Sequence, residues 1–277
     1  MTMTRLFRIG ITWLIVLICL FWVVFPIFWT LSVSLKTSSQ LFTRPPTYIP
    51  NPPTLQNYAD AINDRGILPA LRNSLVIMVI SAPVSVFLAS LAAYGLARFR
   101  FRGKQILLYG ILSIRMLPGI ILAIPMFIMF RRVGLLDNLW GLIVIYTAFN
   151  MPFNIWLLTG FFEEIPSEIE DAGLIDGCNA WQLYSRIILP LSLPALVASL
   201  IFCMLLAWNE FQFALILTFT EQSKTLPVVI SGMTSDRGTY FGQMGATGVM
   251  AIFPVLAVAI YVQRFLVKGL TAGAVKA

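Results

Sequence analysis

Apolar residues in this chain come in long unbroken runs, not at the alternating or three-and-four spacing of half-buried strands and surface helices. The first runs from Ile9 to Leu35. Others follow at about Ser74–Ala97, Ile106–Phe130, Leu139–Phe162, Leu191–Thr218 and Gly245–Val267. About 20 apolar residues in a helix cross the hydrocarbon of a bilayer, and a helix satisfies all its own backbone groups there. The pattern therefore predicts an all-α integral membrane protein with six transmembrane helices. The first run is too long for the apolar part of a cleaved secretory signal and reads as a retained first span.

Polar interruptions divide the runs unevenly. The longest inside the core is Pro166–Pro190, PSEIEDAGLIDGCNAWQLYSRIILP. Ser167 with Glu170 three residues on has the spacing of a capping box, and Ile169, Ala172 and Ile175 share one face of a helix from Ser167 to Ile175. Asp176-Gly177 breaks that helix, because glycine tolerates the left-handed conformation that ends helices. A second short helix is expected from about Ala180 to Arg186. Earlier, the proline-rich stretch Arg44–Pro53 favours an extended polyproline conformation, and Leu55–Ile67 suits a short helix containing Asn57 and Tyr58. That outer segment reads equally as a connector or as a landing platform for an external protein. The sequence divides into 1–70, the first span with its outer loop, and 71–277, a five-span core carrying the loop at 163–190.

Composition narrows the function classes. Only 11% of residues are charged, against about 25% in soluble domains. There is no histidine, which removes the commonest general base and metal ligand. Cys19, Cys178 and Cys203 are too few and too scattered for a zinc site or disulfide framework. The net charge of +7 is spread over short loops and suits anionic lipid better than nucleic acid. No phosphate-binding G-x-x-x-x-G-K-[ST] occurs, so any ATP is bound and hydrolysed elsewhere. The basic residues divide nearly evenly between the two sides. Even so, Arg98, Arg100, Arg102 and Lys104 crowd against two membrane ends and favour a cytoplasmic N-terminus, and Arg131 and Arg132 argue the other way.

The order Glu170, Asp171, Ala172, Gly173, then Asp176-Gly177, then Ile188-Leu189-Pro190 resembles the "EAA" loop of permease subunits in binding-protein-dependent ABC importers. Met116-Leu117-Pro118-Gly119, Pro125, Gly134-Leu135-Leu136-Asp137, Gly141-Leu142-Ile143, Trp208-Asn209-Glu210 and the tail Gly269–Lys276 extend the resemblance to the carbohydrate-uptake, maltose-importer-type branch. Asp171 stands where that family has Glu, and Gly173 where it has Ala. The resemblance implies a cytoplasmic coupling helix between spans 4 and 5, in which Glu170, Asp171, Ala172, Gly173, Asp176 and Gly177 meet or position an ATPase. It also implies two ATPase subunits carrying ATP and Mg, a second and different permease, and a soluble solute-binding protein outside. This chain would bind no cofactor itself, and it would sit in a bacterial or archaeal cytoplasmic membrane with both termini inside.

Polar residues within spans mark the candidate substrate pathway, since each is costly in hydrocarbon. Asn150 and Asn154, at i and i+4 beside Phe149, Phe153 and Trp156, suit either sugar binding or helix–helix hydrogen bonding. Asn209 and Glu210 either line an outward cavity or brace the fifth span. Arg115 falls near the middle of a straight third span, roughly 14 Å in depth from Glu210, so the two are not expected to pair. Its partner is then an acid on the second permease, backbone carbonyls near Pro118, or the cargo. The expected function is import of a carbohydrate, with an acidic sugar derivative as one form of it. The alternative is an ion-coupled secondary transporter, which needs intramembrane carboxylates; Glu210 is the one acid within a span.

Overall fold

In the computed structural model the backbone is described for residues 3–235 and 238–273, and side chains for 9–234 and 238–260. The side chains of Arg5, Arg8, Arg237, Arg264, Lys268 and the whole Gly269–Lys276 tail lie outside the described residues. In chain order the helices are α1 (Met3–Ser34), α2 (Gln56–Asp64), α3 (Ile67–Arg98), α4 (Lys104–Met116), α5 (Gly119–Arg132), α6 (Leu139–Glu163), α7 (Ser167–Ile175), α8 (Ala180–Leu191), α9 (Leu193–Trp208), α10 (Gln212–Leu217), α11 (Leu226–Ser231) and α12 (Phe241–Gly273). A single helical turn at Ser38–Leu41 and a ribbon pairing Thr234–Ser235 with Gly238–Thr239 complete the described elements.

Helices α1, α3, α6 and α12 are long and apolar enough to cross a membrane, and counting α4–α5 and α8–α9 as one span each reaches six. Those two pairs are bent by 91° and 77°. The first bend falls inside the third apolar run, which is not the straight helix the sequence suggests, and the second falls where the loop helix gives way to the fifth run. Leu117 is extended (ψ 124°) because Pro118 disfavours a helical residue before it and offers no N–H to the ladder. Pro190 and Pro194 flank the second bend. The fifth run is also shorter than expected: α9 stops at Trp208 and α10 begins at Gln212.

By contacts the chain forms two compact units. One comprises 1–67 and 229–253. There α1 exposes apolar side chains on every side, and none of its membrane-length window is buried. Past its end, Asn57 donates to the carbonyls of Ser34 (2.9 Å) and Lys36 (2.7 Å), and the Tyr58 and Ser34 hydroxyls bond at 2.8 Å. Arg65 donates to Gln243 at 3.0 Å and lies over the Tyr240 ring. The expected helix at Leu55–Ile67 is thus present as α2 and held at both ends. Residues 43–55 follow bends, not a continuous extended strand, because the Tyr48 ring packs on Trp29 and its carbonyl takes the Ser32 hydroxyl.

The other unit comprises 68–228 and 254–277. Its core stacks Ala82, Val86 and Ala93 of α3 on Leu158 and Phe162 of α6, Ile188 of α8, and Ala195 and Cys203 of α9. Small residues on α3 let the backbones approach, and packing of that kind drives helix association in lipid. Asn154 lies at its centre, fully buried. It accepts from Ser199 (2.7 Å) and donates to Cys203 Sγ (2.7 Å) and, at 3.5 Å, to Ser85.

Candidate functional site: a braced loop and a polar cavity

The α7–α8 loop is built to hold its shape. Cys178 N–H bonds the Gly173 carbonyl (2.9 Å) and Gly177 N–H the Leu174 carbonyl (3.0 Å), the paired bonds of a Schellman ending. Gly177 supplies the left-handed residue that this ending needs (φ +83°). Asn179 and Gln182 then cap α8 reciprocally, each side chain bonding the other's backbone N–H at 2.9 Å. Residues Leu183–Ile188 continue as a π-helical segment just ahead of Pro190. Gly173 is buried so closely that a Cβ there would meet Leu183 Cδ2 at 2.5 Å and Ile187 Cδ1 at 2.8 Å.

The capping box expected at Ser167–Glu170 does not form; Pro166 is the cap residue and no side chain bonds there. Glu170 is drawn inward instead, where its carboxylate pairs with Arg98 and accepts the Tyr94 hydroxyl at 2.8 Å. Arg98 also donates to the Ile165 carbonyl at 3.2 Å. A second ion pair, Lys104 to Glu163 (2.7 Å), fastens the start of α4 to the end of α6. Glu170 and Gly173 are thus packed inside, and Asp171, Ala172, Asp176 and Gly177 are at the surface. Beside them Leu174, Ile175 and Trp181 are 56%, 87% and 59% exposed. The loop therefore presents apolar side chains on a rigid turn.

The polar span residues separate into two places. Arg115, Asn150 and Glu210 line one cavity of about 240 Å³, together with Tyr146, Gln212 and Phe149. Asn154 does not line it, and Asn209 sits exposed at the end of α9, its amide spent on the Leu205 carbonyl (2.8 Å). Arg115 and Glu210 are not separated in depth as a straight third span would have them. The break at Leu117–Pro118 brings both onto the same cavity. They are still not an ion pair: Arg115 donates to the Phe149 carbonyl at 3.3 Å, and Glu210 accepts Phe213 N–H (2.8 Å) and Ala214 N–H (3.2 Å), capping α10. Tyr146 is buried with its hydroxyl near the Glu210 carboxylate but without a hydrogen bond of ordinary geometry. Gly119 permits the close approach of α10, since a Cβ there would meet Gln212 Oε1 at 2.5 Å.

A third cluster, not singled out by sequence reasoning, fixes the loop between α5 and α6. Asp137, in the left-handed region at φ +53°, accepts Phe219 N–H (2.7 Å), Thr220 N–H (3.0 Å) and the Ser223 hydroxyl. Burial raises its carboxyl pKa, but the hydrogen bonds from Phe219, Ser223 and Thr220 outweigh it and bring it down to about 2. The Gly134-Leu135-Leu136-Asp137 turn was visible in the sequence; its partners 82 to 86 residues away were not.

Residues 85–272 match the family model described as "Binding-protein-dependent transport system inner membrane component". The chain is 37% identical to the trehalose transport system permease protein SugB of Mycobacterium tuberculosis over 253 residues, 91% of this chain and 92% of that one. It is 33% identical to the sulfoquinovosyl glycerol transport system permease protein SmoH of Agrobacterium fabrum, over 91% of this chain and 88% of that one. Among solved structures, a chain of a bacterial ABC transporter involved in import of the acidic polysaccharide alginate shares the fold, with a TM-score of 0.77 at 24% identity over 95% of this chain and 98% of that one. The long apolar helices, the braced loop and these matches lead to one conclusion: the chain belongs to the family of inner-membrane components of binding-protein-dependent transport systems and is an ABC importer permease.

Proposed function

We propose that this chain is one of two permease subunits that import a carbohydrate, powered by a pair of ATPase subunits that bind the α7–α8 loop from the cytoplasm. The observation that carries the reading is the exposed apolar group Leu174, Ile175 and Trp181 on a turn whose own backbone bonds are complete. An apolar knob on a braced loop suits docking into a groove and transmitting force. Asp171, Ala172, Asp176 and Gly177 form its surface, while Glu170 and Gly173 set its position. The Lys104–Glu163 pair would pass a push on the loop to α4, which runs roughly 17 Å to Arg115 at the cavity. ATP and Mg belong to the ATPase partners, cargo arrives from an external binding protein, and both termini lie in the cytoplasm. The second permease is a different chain.

The substrate class rests on relatives whose names specify trehalose and sulfoquinovosyl glycerol, both glycosides, one of them bearing a sulfo group. A cavity presenting amide, guanidinium, carboxylate and aromatic groups suits sugar hydroxyls and C–H faces. The test is Ile175→Cys in the assembled complex. It should cross-link to the ATPase subunit and be labelled by membrane-impermeant thiol reagents from the cytoplasmic side alone. Labelling from outside would leave the ATPase nowhere to dock.

A further inference from the structure

Resting on the sugar-importer reading, we infer that this subunit itself holds one anionic unit of the cargo, with Arg115 as the specificity-determining residue. Arg115 has unfilled donor capacity at the cavity it shares with Asn150 and Glu210. A guanidinium has five N–H donors, and Arg115 gives one bond, at 3.3 Å, to the Phe149 carbonyl. The two ion pairs among the described residues, Arg98–Glu170 and Lys104–Glu163, do not involve it. Asn150 is 5% exposed, and its amide makes no hydrogen bond among the described residues. The buried Tyr146 hydroxyl lies near the Glu210 carboxylate. Glu210, the acceptor facing them, already has both oxygens on backbone N–H groups of α10. The Arg115 fork therefore has N–H donors to spare at this space, while each Glu210 oxygen is already engaged by one N–H of α10.

Buried polar groups without partners are costly, and a cation in a membrane interior more so. What completes the set is a group rich in acceptor oxygens carrying negative charge. Carboxylate, sulfonate and phosphate all meet that description and match the guanidinium fork. The volume, about 240 Å³, is below the usual range for drug-sized ligands and takes a single sugar ring with its substituent. The Glu210 carboxylate on the same wall opposes a second negative charge, which favours a singly charged carboxylate or sulfonate over a phosphate monoester. Phe149 and Phe213, whose rings lie 4.7 Å apart at the cavity, offer the apolar face that a sugar ring needs.

The test uses the complete transporter in proteoliposomes with its binding protein and two labelled probes, trehalose as the neutral one and sulfoquinovosyl glycerol as the anionic one. Wild type should import the anionic probe. Arg115→Gln should lower that uptake at least tenfold. Arg115→Lys, keeping the charge but not the fork, should lower it less and raise the half-saturating concentration more than it lowers the maximal rate. Co-purification with the partner subunits should be unchanged in both. Import of trehalose but not of the anionic probe by wild type overturns this inference and leaves the importer reading standing. Import of neither overturns the carbohydrate reading and this one with it. Equal losses in the Lys and Gln variants, or failure of both to assemble, make Arg115 a structural residue and overturn the inference.

Discussion

Glu170→Gln isolates the brace that positions the α7–α8 loop. The substitution keeps the side chain's length and an oxygen for the Tyr94 hydroxyl but removes the charge facing Arg98. Both partners are mostly out of solvent, at 18% and 11% side-chain exposure. Breaking a fully buried pair costs about 3–5 kcal/mol. Arg98 keeps its bond to the Ile165 carbonyl and some access to water, so the expected loss is about 2–3 kcal/mol. The loss falls on local opening of the loop, since the pair joins α7 to the end of α3 and to little else. At 1.4 kcal/mol for each factor of ten, amide exchange across residues 167–177 should speed up roughly 30- to 150-fold. Exchange at 212–224, which shares none of these contacts, should be unaffected. Hydrogen-exchange mass spectrometry of the purified complex reads both regions in one experiment. Combining Glu170→Gln with Arg98→Gln should cost less than the two singles added, because no unpaired charge remains. Exchange within threefold of wild type across 167–177 would refute the idea that this pair sets the loop's position.

Other consequences follow from the remaining clusters. The Asp137 carboxyl is held at about 2, below its ordinary value, so its contribution is fully present above about pH 4 and is lost as pH falls through 2. The thermal stability of wild type in detergent should therefore exceed that of Asp137→Asn at pH 6, and the gap should narrow steadily towards pH 3; a constant gap would mean that charge at this site is irrelevant. Asn154→Leu removes the hydrogen-bonding centre shared by Ser199, Cys203 and Ser85. With intramembrane side-chain bonds averaging about 0.6 kcal/mol and reaching about 1.7, a loss of about 1–2 kcal/mol is expected in equilibrium unfolding by denaturing detergent. No loss would mean that α3, α6 and α9 are held by packing alone.

Much of the fold was legible because membrane burial imposes a one-dimensional signal: long apolar runs, with prolines and glycines punctuating them. The helix from Ser167 to Ile175 and the glycine ending at Gly177 follow from local chemistry and lie where that chemistry puts them. The readings that failed depend on distant partners. Ser167 and Glu170 have the spacing of a capping box, but Arg98 and Tyr94, more than 70 residues earlier, take the carboxylate. The box that does form in this loop, Asn179 with Gln182, has the same four-residue spacing and no distant competitor among the described residues. Asn150 and Asn154, a single turn apart, enter different environments, one amide facing the cavity and the other bonded between three helices. The proline at 118 was visible. That it turns the chain by 91° and sets Arg115 beside the space shared with Glu210 was not, because a kink's angle is decided by what packs around it.

In the proposed reading, transport through this chain is driven by ATP on partner subunits after delivery by an external binding protein. The most direct measurement is uptake of labelled sugar by proteoliposomes containing the complete transporter, with ATP enclosed and the sugar-loaded binding protein outside. Uptake should stop when ATP is replaced by a non-hydrolysable analogue or when the binding protein is omitted, and should continue when ionophores collapse every ion gradient. Uptake that needs an ion gradient and proceeds without ATP would contradict it.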